Sequence, residues 1–444
     1  MPCSSIKTSR EMLSSNYKII AVDNEQEELD RIEECFRDLR IACYPLLYSS
    51  GDTPPEKFKG IRLAFFDVNL SIGNPNDQML CNIISSALKN ILAHDNGPYA
   101  LIFWSLHASK LAAIKEYIET REKDNIPSPI FVDTIDKVGI VSSDDLKREL
   151  ERILSNPTLN IIFDYENKAM LAASRTINSL FNLVPRDGDK WGDNTAFDSN
   201  FDKVFSKIAV EATGEKYAAE NPKLSIQKGI SPILIHNIHN QSLTEVWDSK
   251  LSLFSKPKFP TGFRVGVLNS TYHIDNTKFH GKDARGCIVS SKLQHDYQKL
   301  LGKSKRAILE QMFKFQGNAN AEQDRKIKAF LSKCDFVLLE ISAACDYAQN
   351  NHRIYKYMLG IEYPIENEIV KKSEKDGNYV FHSPVFSLNG KEVALKFNFR
   401  YIIGLNPSDD KLGEIKYRLN DNILNQIGNQ YSAYVSRLGT VTFY

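Results

Sequence analysis

Four residues stand where a parallel sheet would gather chemistry. Asp23 ends the apolar run YKIIAV (17–22), Asp67 ends IRLAFF (61–66), Ser105 ends YALIFW (99–104), and Lys137 follows PIFV (129–132). Asn24 and Glu25 come directly after Asp23. A carboxylate beside a second carboxylate, a hydroxyl and an ammonium suits attack on a phosphoryl donor. The crowded negative charge would need a divalent cation, and Mg²⁺ takes one or two carboxylates plus waters and phosphate oxygens. Asp23, Asp67 and Glu25 are the candidate ligands. A lysine there pairs with phosphate oxygens as a point charge. Taken singly, an Asp at a strand end is more often a turn former or helix cap.

The elements that must position these residues are legible in the apolar pattern. Five short apolar runs, with CYPLLY (43–48) as the second, alternate with helical periodicities. Leu29, Ile32, Phe36 and Leu39 make one stripe, and Met79, Ile83, Ala87 and Ile91 another. Leu111, Ile114 and Ile118 make a third, and Leu146, Leu150 and Ile153, behind a cap at Ser143-Asp144-Asp145, a fourth. Near-continuous apolar strands joined by helices predict a parallel sheet covered on both faces. In the order 2-1-3-4-5 the ligand crevice lies between the first and third strands, which bear Asp23 and Asp67. The fold class is thus α/β: an N-terminal flavodoxin-like, doubly wound sheet over 1–155, then a mainly helical segment over 156–255. A C-terminal α+β domain follows over 256–444. There the apolar runs FRVGVL, FVLLEI and ALKFNFRYII predict strands, with helices around 305–333 and 413–434.

Within this frame the segment from Tyr17 to about Ile153 resembles the receiver domain of two-component response regulators. IIAVDNE is similar to the first-strand acidic motif, LAFFDVNL to the phospho-acceptor motif, LIFWS to the switch hydroxyl and IDK to the lysine. The resemblance implies that Asp67 is the phospho-acceptor, Asp23 a metal ligand, Ser105 the switch hydroxyl and Lys137 the phosphate partner. Three features depart from the pattern. Asn24 replaces the usual second acid, with Glu25 the substitute; Val138 replaces the usual proline; and the helix between strands two and three is cut short. A receiver that is never phosphorylated is therefore the alternative reading. PYALIFWSLHA, FVLLEISAACDYAQ (336–349) and YSAYVSRLG (431–439) resemble the divergent receiver-like proteins of prokaryotic conflict, or phage-defence, operons. That resemblance implies an antiviral signalling component with a histidine-kinase-like ATPase, or another operon-encoded protein, as partner.

Composition narrows the remaining classes. Fifty-six Lys and Arg against 55 Asp and Glu leave a net charge of +1, less excess than a protein that coats nucleic acid carries. Locally, residues 281–333 hold twelve basic and five acidic residues with Tyr297, Phe313 and Phe315 interleaved, so nucleic acid is a candidate partner for that stretch. On this second reading the chain is a nucleic-acid-binding or effector protein, with Cys345 and Asp346 in its active region and the receiver-like domain a docking scaffold. No apolar run reaches the roughly 20 residues of a membrane span, and the first residues lack a signal-peptide pattern, so a cytoplasmic protein is expected. Seven scattered cysteines, none spaced CxxC, suit reduced thiols. His236 and His239 have a metal-type spacing, with His273, His280 and Cys287 as the nearest further donors. Cys345 with His352 is a nucleophile-and-base pair to be weighed against a buried thiol, and Asp187, Asp189 and Asp193 lack calcium-loop order.

Overall fold

The computed structural model describes residues 18–49, 54–71, 73, 76–105, 110–186, 195–251, 258–275, 281–293, 296–313, 321–343, 346, 354–365 and 379–436. The first five strands are β1 (Ile19–Asp23), β2 (Tyr44–Leu47), β3 (Leu63–Asp67), β4 (Ala100–Trp104) and β5 (Phe131–Ile135). They pair in the order 2-1-3-4-5, and every pairing is parallel. The central strands β1, β3 and β4 are buried along their whole length, which is why their sequences read as unbroken apolar runs.

Alternate residues of these strands feed two cores. Ile20, Val22, Phe66, Leu101 and Phe103 face Ile84, Leu88 and Ile91 of α2 (Asp77–Ile91) and Ile114 of α3 (Leu111–Tyr117). Ala21, Phe65, Ile102 and Trp104 face Leu29, Ile32 and Phe36 of α1 (Gln26–Asp38) and Leu146, Leu150 and Ile153 of α4 (Ser143–Leu154). Each fully buried Leu, Ile or Phe is worth roughly 1.5–3 kcal/mol, so both faces of the sheet contribute to holding it together. The sheet is therefore doubly wound, as its pattern predicts.

The departures are local. The fifth strand starts two residues later than predicted and runs on through Asp133, Thr134 and Ile135, an edge strand whose half-buried positions admit polar residues. Met79 is exposed, and the buried stripe of α2 runs instead through Leu80, Ile84, Leu88 and Ile91. The cap of α4 is Ser142, whose Oγ accepts from the Asp145 N–H. Helix α3 ends in a π turn, Ile118–Glu122. Between β2 and β3 the described residues form no helix; Phe58 makes a single bridge to Leu92.

Helix α5 (Pro157–Leu183) follows, and Glu166 on it accepts from Lys18 Nζ at 3.1 Å and from Arg62 Nε and Nη2 at 2.9 and 2.8 Å. The chain divides into two compact units, Met1–Leu171 with Gln241–Ser252, and Ala172–Asn240 with Leu253–Tyr444. In the second, α6 (Thr195–Thr213), α7 (Glu215–Glu220) and α8 (Pro222–His239) pack together. Phe181 lies against Phe197 and Phe201, and Gly214, with φ of 85°, follows the last residue of α6. Helix α9 (Val246–Lys250) is short, and the flanking Leu243 and Leu251 are exposed.

The remaining strands form an eight-stranded antiparallel sheet. They are β6 (Ile274–Asp275), β7 (Cys287–Ser291), β8 (Asp335–Glu340), β9 (Lys356–Pro364), β10 (Val380–His382), β11 (Phe386–Leu388), β12 (Lys391–Gly404) and β13 (Leu412–Leu419). Their order is β10-β12-β9-β8-β7-β13-β6, with β11 paired to β12. One face carries α11 (Asp296–Leu301), α12 (Lys305–Met312) and α13 (Ala321–Ser332); the other carries α14 (Asp421–Val435). Two sequence expectations fail here. FRVGVL is not a strand but opens α10 (Val265–His273), because Gly266 lets that helix lie directly on the Phe386–Ser387 backbone. The helix predicted over 413–434 begins only at Asp421, since 412–419 complete the sheet as β13. No described helix is long and apolar enough to cross a membrane.

Candidate functional site

The register of the first sheet decides where the polar residues meet. Val22 lies opposite Phe66, so Asp23 and Asp67 stand side by side one step further on, while Asp67 pairs with Trp104 and Trp104 with Ile135. Ser105 extends β4 by one residue, and its N–H donates to the Ile135 carbonyl at 3.1 Å. After β5 the side chain of Asp136 accepts from the Val138 N–H at 3.0 Å. That cap starts a 3₁₀ turn, Lys137–Gly139, and Lys137 returns towards the sheet.

The turn closes an ion-pair triad. Lys137 Nζ lies 2.5 Å from Asp23 Oδ2 and 3.3 Å from Asp67 Oδ1. Asp23, Asp67, Ser105 and Lys137 are all buried, each at 7% exposure or less. Buried charges of this kind persist only when paired and hydrogen-bonded. Asp23 Oδ1 takes a further bond from the Glu25 N–H at 3.0 Å. Burial pushes the Asp67 carboxyl above its ordinary pKa; Lys137 pulls against that rise, Asp23 adds to it, and the Asn69 N–H lowers it again, leaving Asp67 raised. Two carboxylates and one ammonium leave the pocket one positive charge short of neutral.

The strand ends thus bring together Asp23, Asp67 and Lys137, with Ser105 at the next step of β4. Glu25 is exposed, and what it presents to Asp23 is its main-chain N–H. Among the described residues no group of three or more His, Cys, Asp or Glu side chains is gathered as for a metal ion. The carboxylates that a cation would meet there are Asp23 and Asp67, which Lys137 bridges, and a pair of carboxylates is compatible with Mg²⁺, which keeps most of its waters.

One residue that the sequence did not flag completes the site. Arg31 of α1 donates from Nη2 to the main-chain carbonyl of Lys137 at 3.1 Å. Its guanidinium lies 5.7 Å from the centre of the Trp104 ring and pairs with Glu28 at 2.5 Å. The only signal available was its place beside Ile32, on the flank of the buried stripe of α1.

Among the described residues the other candidates form no cluster. His236 and His239 lie at the end of α8, where His236 Nε2 meets Asn240 Nδ2 at 2.9 Å. His273 ends α10. Cys287 is fully buried on β7, its thiol pushed up to about 12, first by burial and then by Glu340 and Asp283. Cys345, His280, His352, Asp187, Asp189 and Asp193 lie outside the described residues; Asp346 is described. The basic stretch 281–333 is spread over β7, α11, α12 and α13, and several of its charges are already matched. Arg306 pairs with Glu310 and Lys326 with Glu322, and Lys282 Nζ donates to the Leu412 carbonyl at 2.7 Å. Compared with family models, with curated proteins and with solved structures, the chain matches none, so its functional reading rests on this geometry and on sequence motifs.

Proposed function

We propose that the N-terminal unit is a receiver-like signalling module in which Asp67 accepts a phosphoryl group. The supporting observation is the buried lysine shared by two carboxylates at the carboxyl edge of a 2-1-3-4-5 sheet. An Asp67 carboxylate oxygen attacks the donor phosphorus, the bond from phosphorus to its leaving group breaks, and the leaving group departs with the electron pair. A divalent cation, when bound by Asp23 and Asp67, supplies the positive charge that this crowding requires. Lys137 exchanges part of its pairing with Asp67 for the incoming phosphoryl oxygens, and Ser105 donates its hydroxyl to them. In the wider reading the chain is a component of a prokaryotic anti-phage defence system. A histidine-kinase-like ATPase would act on Asp67, and the second unit would carry output or sensing.

The test is mass spectrometry of the intact chain after treatment with a small phosphodonor and Mg²⁺. One added phosphoryl group is expected, lost in Asp67→Asn. Labelling that persists in Asp67→Asn moves the acceptor elsewhere; no labelling of the parent chain leaves the module a docking scaffold.

A further inference from the structure

Away from the carboxyl edge, the first unit holds a cavity of about 260 Å³ between α3 with its π turn and the edge strand β5. Its cause is geometric. Helix α3 is only seven residues long before it widens into the π turn Ile118–Glu122, so it leaves the outer part of this sheet face uncovered. The floor is apolar, made by Leu101, Phe103, Ile118 and Val132. Its wall is fixed, because the buried Tyr99 hydroxyl donates to the Pro127 carbonyl at 2.6 Å. The mouth is charged. Lys115, Glu119 and Lys123 line it, Lys115 lies 3.8 Å from Glu119, and Lys123 makes no ion pair among the described residues. The mouth therefore carries one uncompensated positive charge above an apolar floor.

We propose that this cavity binds a small anionic amphiphile, a short acyl chain or single ring bearing one negative group. The apolar part would lie on Leu101, Phe103 and Val132, and the anionic group would meet Lys123. Size supports the restriction to something small, since pockets for drug-sized ligands span roughly 300–1,000 Å³. A π turn in the wall agrees with a binding role, because such turns recur at functional sites. None of the cavity residues belongs to the Asp23–Asp67–Lys137 site, so this proposal stands or falls independently of phosphoryl chemistry.

Titration calorimetry of the full chain with sodium octanoate and with 1-octanol tests it. Octanoate should bind saturably at one equivalent, and 1-octanol about tenfold more weakly, the neutral head losing the attraction of Lys123. Lys123→Glu should weaken octanoate by at least about tenfold and leave 1-octanol unchanged. Leu101→Trp, which fills the floor, should abolish both; Val132→Phe, at the half-buried part of the same floor, serves if that variant does not fold. Absence of saturable binding at millimolar octanoate, or binding that survives the filled floor, would overturn the site. Equal affinity for octanol and octanoate would overturn the assignment of an anionic ligand.

Discussion

Arg31 holds Lys137 by its main chain, with Nη2 3.1 Å from the Lys137 carbonyl oxygen. The lysine is thus restrained at both ends, its backbone by a guanidinium and its ammonium by Asp23 and Asp67. Replacing Arg31 with Gln removes a charge-assisted hydrogen bond and the stacking on Trp104, and about 1.5–3 kcal/mol of stability should go with them. Phosphodonor labelling of Asp67 should also slow, because the turn that aims Lys137 is no longer pinned. A denaturant titration and a labelling time course on one preparation check both; unchanged labelling with lowered stability would make Arg31 a packing residue alone.

Stability should respond oppositely to removing different members of the triad. Lys137→Met leaves two buried carboxylates without their cation and should cost about 3–5 kcal/mol. Asp67→Asn should stabilise the domain at neutral pH, because the buried Asp67 carboxyl is held above its ordinary pKa. The sign follows from linkage: a carboxyl whose folded pKa is raised loses stability as pH climbs from its ordinary value up to the raised one. The Asn advantage should therefore vanish in acid, below the ordinary value of 3.8. Melting curves of both variants at acid and neutral pH decide it, and an Asp67→Asn that melts lower at every pH contradicts the assignment.

Ser105 sits one residue past β4, with its backbone already bonded to β5. Ser105→Ala keeps that bond and removes no core volume, so stability should stay within about 1 kcal/mol of the parent. Partner capture or defence activity should fall. A variant that both melts and signals like the parent takes the hydroxyl out of the mechanism.

For the basic stretch the expectation is weak, salt-sensitive binding at most. Each phosphate contact contributes a slope of about −0.9 in log affinity against log salt for duplex, or about −0.7 for single strands. Arg306 and Lys326 are engaged by Glu310 and Glu322. Reversing Lys303, Lys305 and Arg306 should therefore flatten the slope by less than three full contacts. A loss equal to three contacts would restore the nucleic-acid reading.

What the sequence revealed and what it hid have physical causes. β1, β3 and β4 were readable because strands buried on both faces leave no room for polar residues, so their ends, and hence Asp23, Asp67 and Ser105, were placed correctly. β5 was misplaced because an edge strand tolerates Asp133 and Thr134. FRVGVL misled because a short apolar run fits either a strand or a helix, and the contact of Gly266 with β11 decides between them. Arg31 was invisible because nothing local marks an arginine whose partner is a carbonyl 106 positions away.

Glu166 grips Lys18 and Arg62, the residues just ahead of β1 and β3, whereas Asp23 and Asp67 close the other ends of those same strands. A five-residue strand spans roughly 16 Å, about twice the Debye length of roughly 8 Å at physiological salt. Even at an effective dielectric of about 20, one unit charge at that range is worth only about 1 kcal/mol before screening. A change of charge at Asp67 therefore reaches α5 only weakly as a field. The stiffer link between them is β1 and β3 themselves, two rods gripped at one end and loaded at the other.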